Sequence, residues 1–162
     1  MNTAPPRSGT LAPSDKLAQR LALAVPALLL AGAYISEYGF GLFPCEMCWW
    51  QRYPHFAAVA LGLASTVAPP KRVWIALAAL AIAISGVIGA FHAGVEYGWW
   101  ESPLGCTAND PLSLDFVRCD APAWTLLGVS LAGFNALLSI GSAIAIWMLL
   151  LARDKQSAET TA

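Results

Sequence analysis

Charged residues are scarce along this chain, and between them lie four long apolar stretches: Leu17 to Ser36, broken only by the charge of Arg20, Tyr53 to Pro70, Val73 to Ala93, and Ala121 to Ala152. None alternates apolar with polar positions as a barrel strand must, so each reads as a helix. At about 1.5 Å per residue, each reaches or approaches the roughly 30 Å hydrocarbon core of a bilayer, the second being the shortest. The pattern predicts an all-α polytopic membrane protein, a four-transmembrane-helix bundle forming one domain over 1–162. Its spans fall at about 17–36, 53–70, 73–93 and 124–152, with loops at 37–52 and 94–123 and polar tails at 1–16 and 153–162. Pro26 predicts a kink in the first span, and Pro69-Pro70 a stop for the second.

Composition agrees, because 162 residues that are 57% hydrophobic and 12% charged cannot cover a soluble domain of this size with polar surface. Seven of the nine basic residues (Arg7, Lys16, Arg20, Lys71, Arg72, Arg153 and Lys155) fall on one side of the predicted membrane, and only Arg52 and Arg118 on the other. The positive-inside bias therefore predicts cytoplasmic termini and outward-facing loops. Trp49, Trp50, Trp99, Trp100 and Trp124 mark the outer boundaries, with Trp74 and Trp147 near the inner ones, as an interfacial belt. The first segment also has a signal-peptide look, with Ala31-Gly32-Ala33 as a cleavable run, but its apolar stretch continues to Ile35, and a retained helix is expected. A net charge of -1 offers no basic surface, so nucleic-acid binding is not expected.

Chemistry concentrates in the two outward loops, Cys45 and Cys48 in the first, Cys106 and Cys119 in the second. An even count on an oxidising side implies disulfides. Cys106 and Cys119, with twelve residues between them, would serve equally as a staple. Cys45-Glu46-Met47-Cys48 encloses too small a ring to stabilise much, and points to redox or metal chemistry. Zinc sites favour two short cysteine spacings, whereas the second pair here is widely split, so no metal is expected. Arg52, one helical turn after Cys48, is expected to stabilise its thiolate, although a snorkelling interfacial charge is the plainer alternative. His92 near the outer end of the third span, and His55 just inside the second, either line a site or face interfacial water. Glu96 reads as a solvated charge. Ser85-Gly86, Gly89-Ala90, Gly128, Gly133 and Gly141 offer small faces for close helix approach, and Asn135 an interhelical hydrogen bond.

The segment Pro44-Cys45-Glu46-Met47-Cys48-Trp49-Trp50-Gln51-Arg52-Tyr53 resembles the Cys-x-x-Cys-x-x-Gln-Arg segment of the disulfide bond formation protein B (DsbB) family. The likeness extends to Phe91-His92, Glu96-Tyr97-Gly98-Trp99-Trp100 and Cys119-Asp120-Ala121-Pro122-Ala123-Trp124. It implies a bacterial inner-membrane enzyme that reoxidises a periplasmic thioredoxin-fold dithiol oxidant (DsbA-like) and passes the electrons to ubiquinone or menaquinone. By similarity the partner attacks Cys106 of a Cys106–Cys119 disulfide, Cys119 attacks Cys45, Cys48 donates to the quinone, and Arg52 and His92 line the head-group site. Compared with some members, the loop from Gly94 to Pro122 is short, which leaves the partner's identity open. Two other readings stand beside this one: a four-helix adhesion protein with static extracellular disulfides, as in claudin-like layouts, and a thiol oxidoreductase of reversed electron flow, related in layout to vitamin K epoxide reductases.

Overall fold

A computed structural model describes residues 11–103 and 118–159. Four helices run through it: α1 (Pro13–Phe40), α2 (Glu46–Val67), α3 (Lys71–Glu96) and α4 (Leu131–Glu159). By length and apolar composition α1, α3 and the Leu131–Ala152 part of α4 are long enough to cross a membrane, and α2 falls short of that measure. The α1 helix carries Pro26 within it and is capped by Gly41, whose left-handed backbone (φ 69°) lets its own amide donate to the Glu37 carbonyl and the Leu42 amide to the Ser36 carbonyl. As the paired prolines require, α2 stops at Val67.

The helices form a bundle in which α3 packs broadly on α2 and α4, and α1 closes the ring against the same two neighbours. Their core is made of small residues, Ala18, Ala22, Ala58, Ala78, Ala79 and Ala143 together with Ile75, Ile82 and Ile146, which lets the backbones approach closely. At Gly86 a Cβ would stand 2.7 Å from Ile140 Cγ1 and 3.1 Å from the Ile140 nitrogen, so the α3–α4 crossing requires glycine there. Leu28, Ile35, Leu80, Val87, Leu137 and Met148 point outward instead, a fully apolar exterior suited to lipid. At the bundle end that holds the helix-joining Lys71-Arg72, Arg72 pairs with the fully buried Asp15 at 3.5 Å and donates to the Leu150 carbonyl. Gln19 bonds Ser65 in the same layer.

The fourth helix begins later than its apolar run predicts. Residues 125–130 instead form a small hairpin, β1 (Thr125–Leu126) against β2 (Val129–Ser130), in which Leu127 and Gly128 make the turn with positive φ of 52° and 78°. Gly128 is thus a turn residue, not part of a helix-packing face, and Gly141 meets no neighbour within 4 Å.

Candidate functional site

The first cysteine pair sits where a helix starts. Cys45 is the N-cap of α2, and its sulfur accepts a hydrogen bond from the Cys48 amide at 3.3 Å. The two sulfurs are 3.1 Å apart, just ahead of the apolar stretch that opens at Tyr53. Sharing a proton splits them: the hydrogen bond to Cys48, reinforced by burial, pushes the Cys45 thiol up to about 12, while accepting that bond holds Cys48 below the ordinary thiol value. Cys48 is therefore the more readily ionised sulfur of the pair, with the positive end of α2 beneath it.

Two residues from distant segments close over this pair. His92 places Nε2 3.6 Å from the Cys45 sulfur, and Cys119, 1% exposed, joins Cys45, Met47, Val95 and Cys48 in one buried cluster. Arg118 and Asp120 flank Cys119 and hold each other by two hydrogen bonds of 2.8 and 2.9 Å, which brace the bend that carries the sulfur inward. Cys106 lies outside the described residues, as do residues 104–117 around it. Cys45, Cys48 and His92 offer three ligand atoms within 4.8 Å of one another, a set compatible with a soft cation as well as with redox chemistry.

Arg52 behaves differently from its spacing. It donates to Glu37 of α1 at 2.6 Å and stacks between Tyr34 and Trp49, 4.9 and 4.8 Å from the ring centres. Helical spacing points Arg52 at Cys48, but the pair shift comes from Cys45, and the guanidinium is spent on α1. Glu96 is likewise no solvated charge: its side chain is 7% exposed, 3.9 Å from His92 Nε2.

Beneath the thiols runs a buried polar network whose orientation its fixed carbonyls dictate. Gln51 Nε2 faces the Met47 carbonyl at 3.1 Å, which only accepts, so this end of the amide is the nitrogen. The same nitrogen lies 2.8 Å from His92 Nδ1, which must accept, leaving the His92 proton on Nε2, toward Cys45. Asn135 Nδ2 donates to Gln51 Oε1 at 2.8 Å and to the Ser85 carbonyl at 3.2 Å, turning its oxygen toward His55 Nε2, 2.9 Å away. Ser139 donates to the same oxygen. Gln51, Asn135, Ser85 and Ser139 join helices far apart in sequence; Gln51, inside the cysteine motif, Asn135, an amide in a span, and Ser85, on a small helix face, carried an advance signal, and Ser139 carried none.

A cavity of about 250 Å³ joins these parts. One wall is polar, with Cys48, Gln51, Arg52, His55, His92, Glu96 and Asn135, and the other apolar, with Leu28, Leu29, Leu131 and Phe134 from α1 and α4.

The family model for disulfide bond formation protein DsbB matches residues 15–149. The chain belongs to the DsbB family. A disulfide bond formation protein B of Verminephrobacter eiseniae is 33% identical over 134 residues, covering 72% of this chain and 75% of its own. Another from Azoarcus sp. is 31% identical over 143 residues, 76% of this chain and 84% of that one. An uncharacterized protein of Rickettsia prowazekii is 24% identical over 150 residues, 83% and 87% of the two chains. No solved structure matches. As a DsbB-family member the chain is a membrane thiol oxidoreductase of disulfide bond formation.

Proposed function

We propose that this protein reoxidises a periplasmic thioredoxin-fold dithiol of the DsbA type and delivers the electrons to a membrane quinone, working in the bacterial inner membrane with both termini cytoplasmic and both cysteine loops periplasmic. The observation that carries the reading is Cys48 on the wall of a cavity that is polar on one side and apolar on the other. A substituted quinone ring suits that cavity, with its oxygens toward Arg52 and His92 and its apolar edge toward Leu28 and Phe134.

The chain's part is a relay of thiolate attacks. A partner thiolate attacks Cys106 Sγ of the Cys106–Cys119 disulfide, Cys119 leaves as thiolate, and the partner's second thiol resolves the mixed disulfide. Cys119 then attacks Cys45 Sγ, Cys48 leaves as thiolate, and Cys106 resolves the Cys119–Cys45 bond, regenerating the loop disulfide. The buried packing of Cys119 beside Cys45 supports this order. Bound quinone supplies the two-electron acceptor that takes two electrons and two protons as Cys45 and Cys48 return to the disulfide. His92, its Nε2 proton toward Cys45, supports the charge that develops on that sulfur as Cys106 displaces it from Cys119, and Arg52, fixed by Glu37, lies at the polar wall.

The test combines purified protein, a short-tailed soluble quinone and a reduced dithiol protein. Loss of quinone absorbance in step with disulfide formation supports the reading. No reaction, with both disulfides resisting mild reductant, would favour a static cross-linked bundle; reaction only from quinol toward disulfide would reverse the electron flow.

A further inference from the structure

His55 is held by one nitrogen and leaves the other unused. It is 3% exposed, lines the cavity, and has no hydrogen-bond partner for Nδ1 among the described residues. A buried polar atom without a partner costs about 1 to 3 kcal/mol, so it marks either a defect or a place kept for a ligand.

The network decides which kind of ligand atom fits. The Met47 and Ser85 carbonyls orient Gln51 and Asn135, and Asn135 presents its oxygen to His55, so Nε2 must carry the proton. In the neutral ring Nδ1 is then a bare lone pair, an acceptor. A carbonyl oxygen set against it meets lone pair with lone pair, whereas a ring hydroxyl donates to it. Gly89 keeps this arrangement in register, because a Cβ there would stand 2.9 Å from Asn135 Nδ2.

We propose that His55 Nδ1 accepts the hydroxyl proton of a reduced, hydroxylated ring in the cavity, so that this wall binds quinol in preference to quinone. The inference rests on the quinone reading above and extends it to a specificity-determining residue. Stronger interaction with the reduced ring favours electron transfer from the thiols, since only interactions that strengthen along the reaction promote it. His92, whose Nδ1 already accepts from Gln51, leaves no equivalent lone pair, and the two histidines are thereby distinct.

The experiment uses the full-length Cys48→Ser protein, which cannot turn over, titrated anaerobically by calorimetry with short-tailed ubiquinol and the matching ubiquinone. Adding His55→Leu should weaken quinol binding about tenfold and change quinone binding less than twofold. Equal loss for both forms, or loss for neither, overturns the role of His55 while leaving the quinone reading intact. Binding of neither form by the Cys48→Ser parent overturns both. An independent measurement needs no change at His55: with ¹⁵N-histidine label and two histidines in the chain, the unprotonated His55 nitrogen should shift on adding quinol and not on adding quinone. A protonated Nδ1, or the same shift with both, overturns the assignment.

Discussion

Arg52 and Glu37 form an ion pair of 2.6 Å between α2 and α1, with side chains only 7% and 11% exposed. Two charges so far from water are tolerable only together, and removing one strands the other. Arg52→Ala should therefore cost on the order of 3 to 5 kcal/mol in stability, read as a lowered unfolding midpoint in detergent. It should also raise the KM for quinone. Pairing it with Glu37→Gln should recover most of the stability and none of the quinone affinity. A double variant with normal KM would reduce Arg52 to a strut between helices.

The thiol pair carries a pH signature. Cys48 titrates below the ordinary thiol value, so its thiolate persists as pH falls through the usual range and is lost only at the lowered value; Cys45 keeps its proton until about 12. In the reduced protein a small neutral alkylating reagent should label Cys48 at lower pH than Cys45, with the Cys48 midpoint below that of an ordinary thiol. Replacing Cys48 by Ala removes the partner that raises Cys45, and its labelling should begin at lower pH. Mass spectrometry of the labelled peptide reads both, and equal labelling of the two cysteines would contradict the asymmetry.

Glycines on α3 and α4 separate two kinds of small residue. A Cβ at Gly89 would stand 3.0 Å from the Ala132 carbonyl as well as against Asn135, so Gly89→Ala must part α3 from α4 or turn the amide. A loss of about 1 to 3 kcal/mol is expected. Gly141 has open space around its missing Cβ, and Gly141→Ala should gain about 0.5 to 1 kcal/mol through helix propensity. Thermal unfolding of the two variants in one detergent makes the comparison, and a destabilised Gly141→Ala would show that its face is covered.

Much of this fold is legible in the chain, because apolar length and a short cysteine spacing act locally. The helices cover the apolar stretches, although α2 starts at Glu46, inside the 37–52 segment expected as loop, with Cys45 as its N-cap. What escapes is either a local break hidden by apolar composition or a pairing between distant residues. Ala121 to Ser130 is apolar enough to prolong the last run, yet Pro122 and the turn at Leu127-Gly128 delay α4 to Leu131. Helical spacing finds Cys48 for Arg52 but cannot find Glu37 fifteen residues back on another helix. Asn135 and Gln51 are 84 residues apart, and nothing short of the packed bundle brings them together.

The two cysteine pairs should fail in different ways when broken. Cys48→Ser removes the thiolate on the cavity wall but keeps the size and a hydrogen-bonding oxygen, so the protein should fold normally while quinone reduction is abolished. Full turnover by that variant would exclude Cys48 as the electron donor. Cys106→Ser acts upstream: the mixed disulfide with the soluble dithiol partner should no longer form, although chemically reduced Cys45 and Cys48 should still pass electrons to quinone in a single turnover. Non-reducing gels of the partner mixture and a stopped-flow trace of quinone absorbance distinguish the cases. An adduct trapped through Cys119 in the Cys106→Ser protein would reverse the order of attack, and the buried packing of Cys119 against Cys45 predicts that none will be seen.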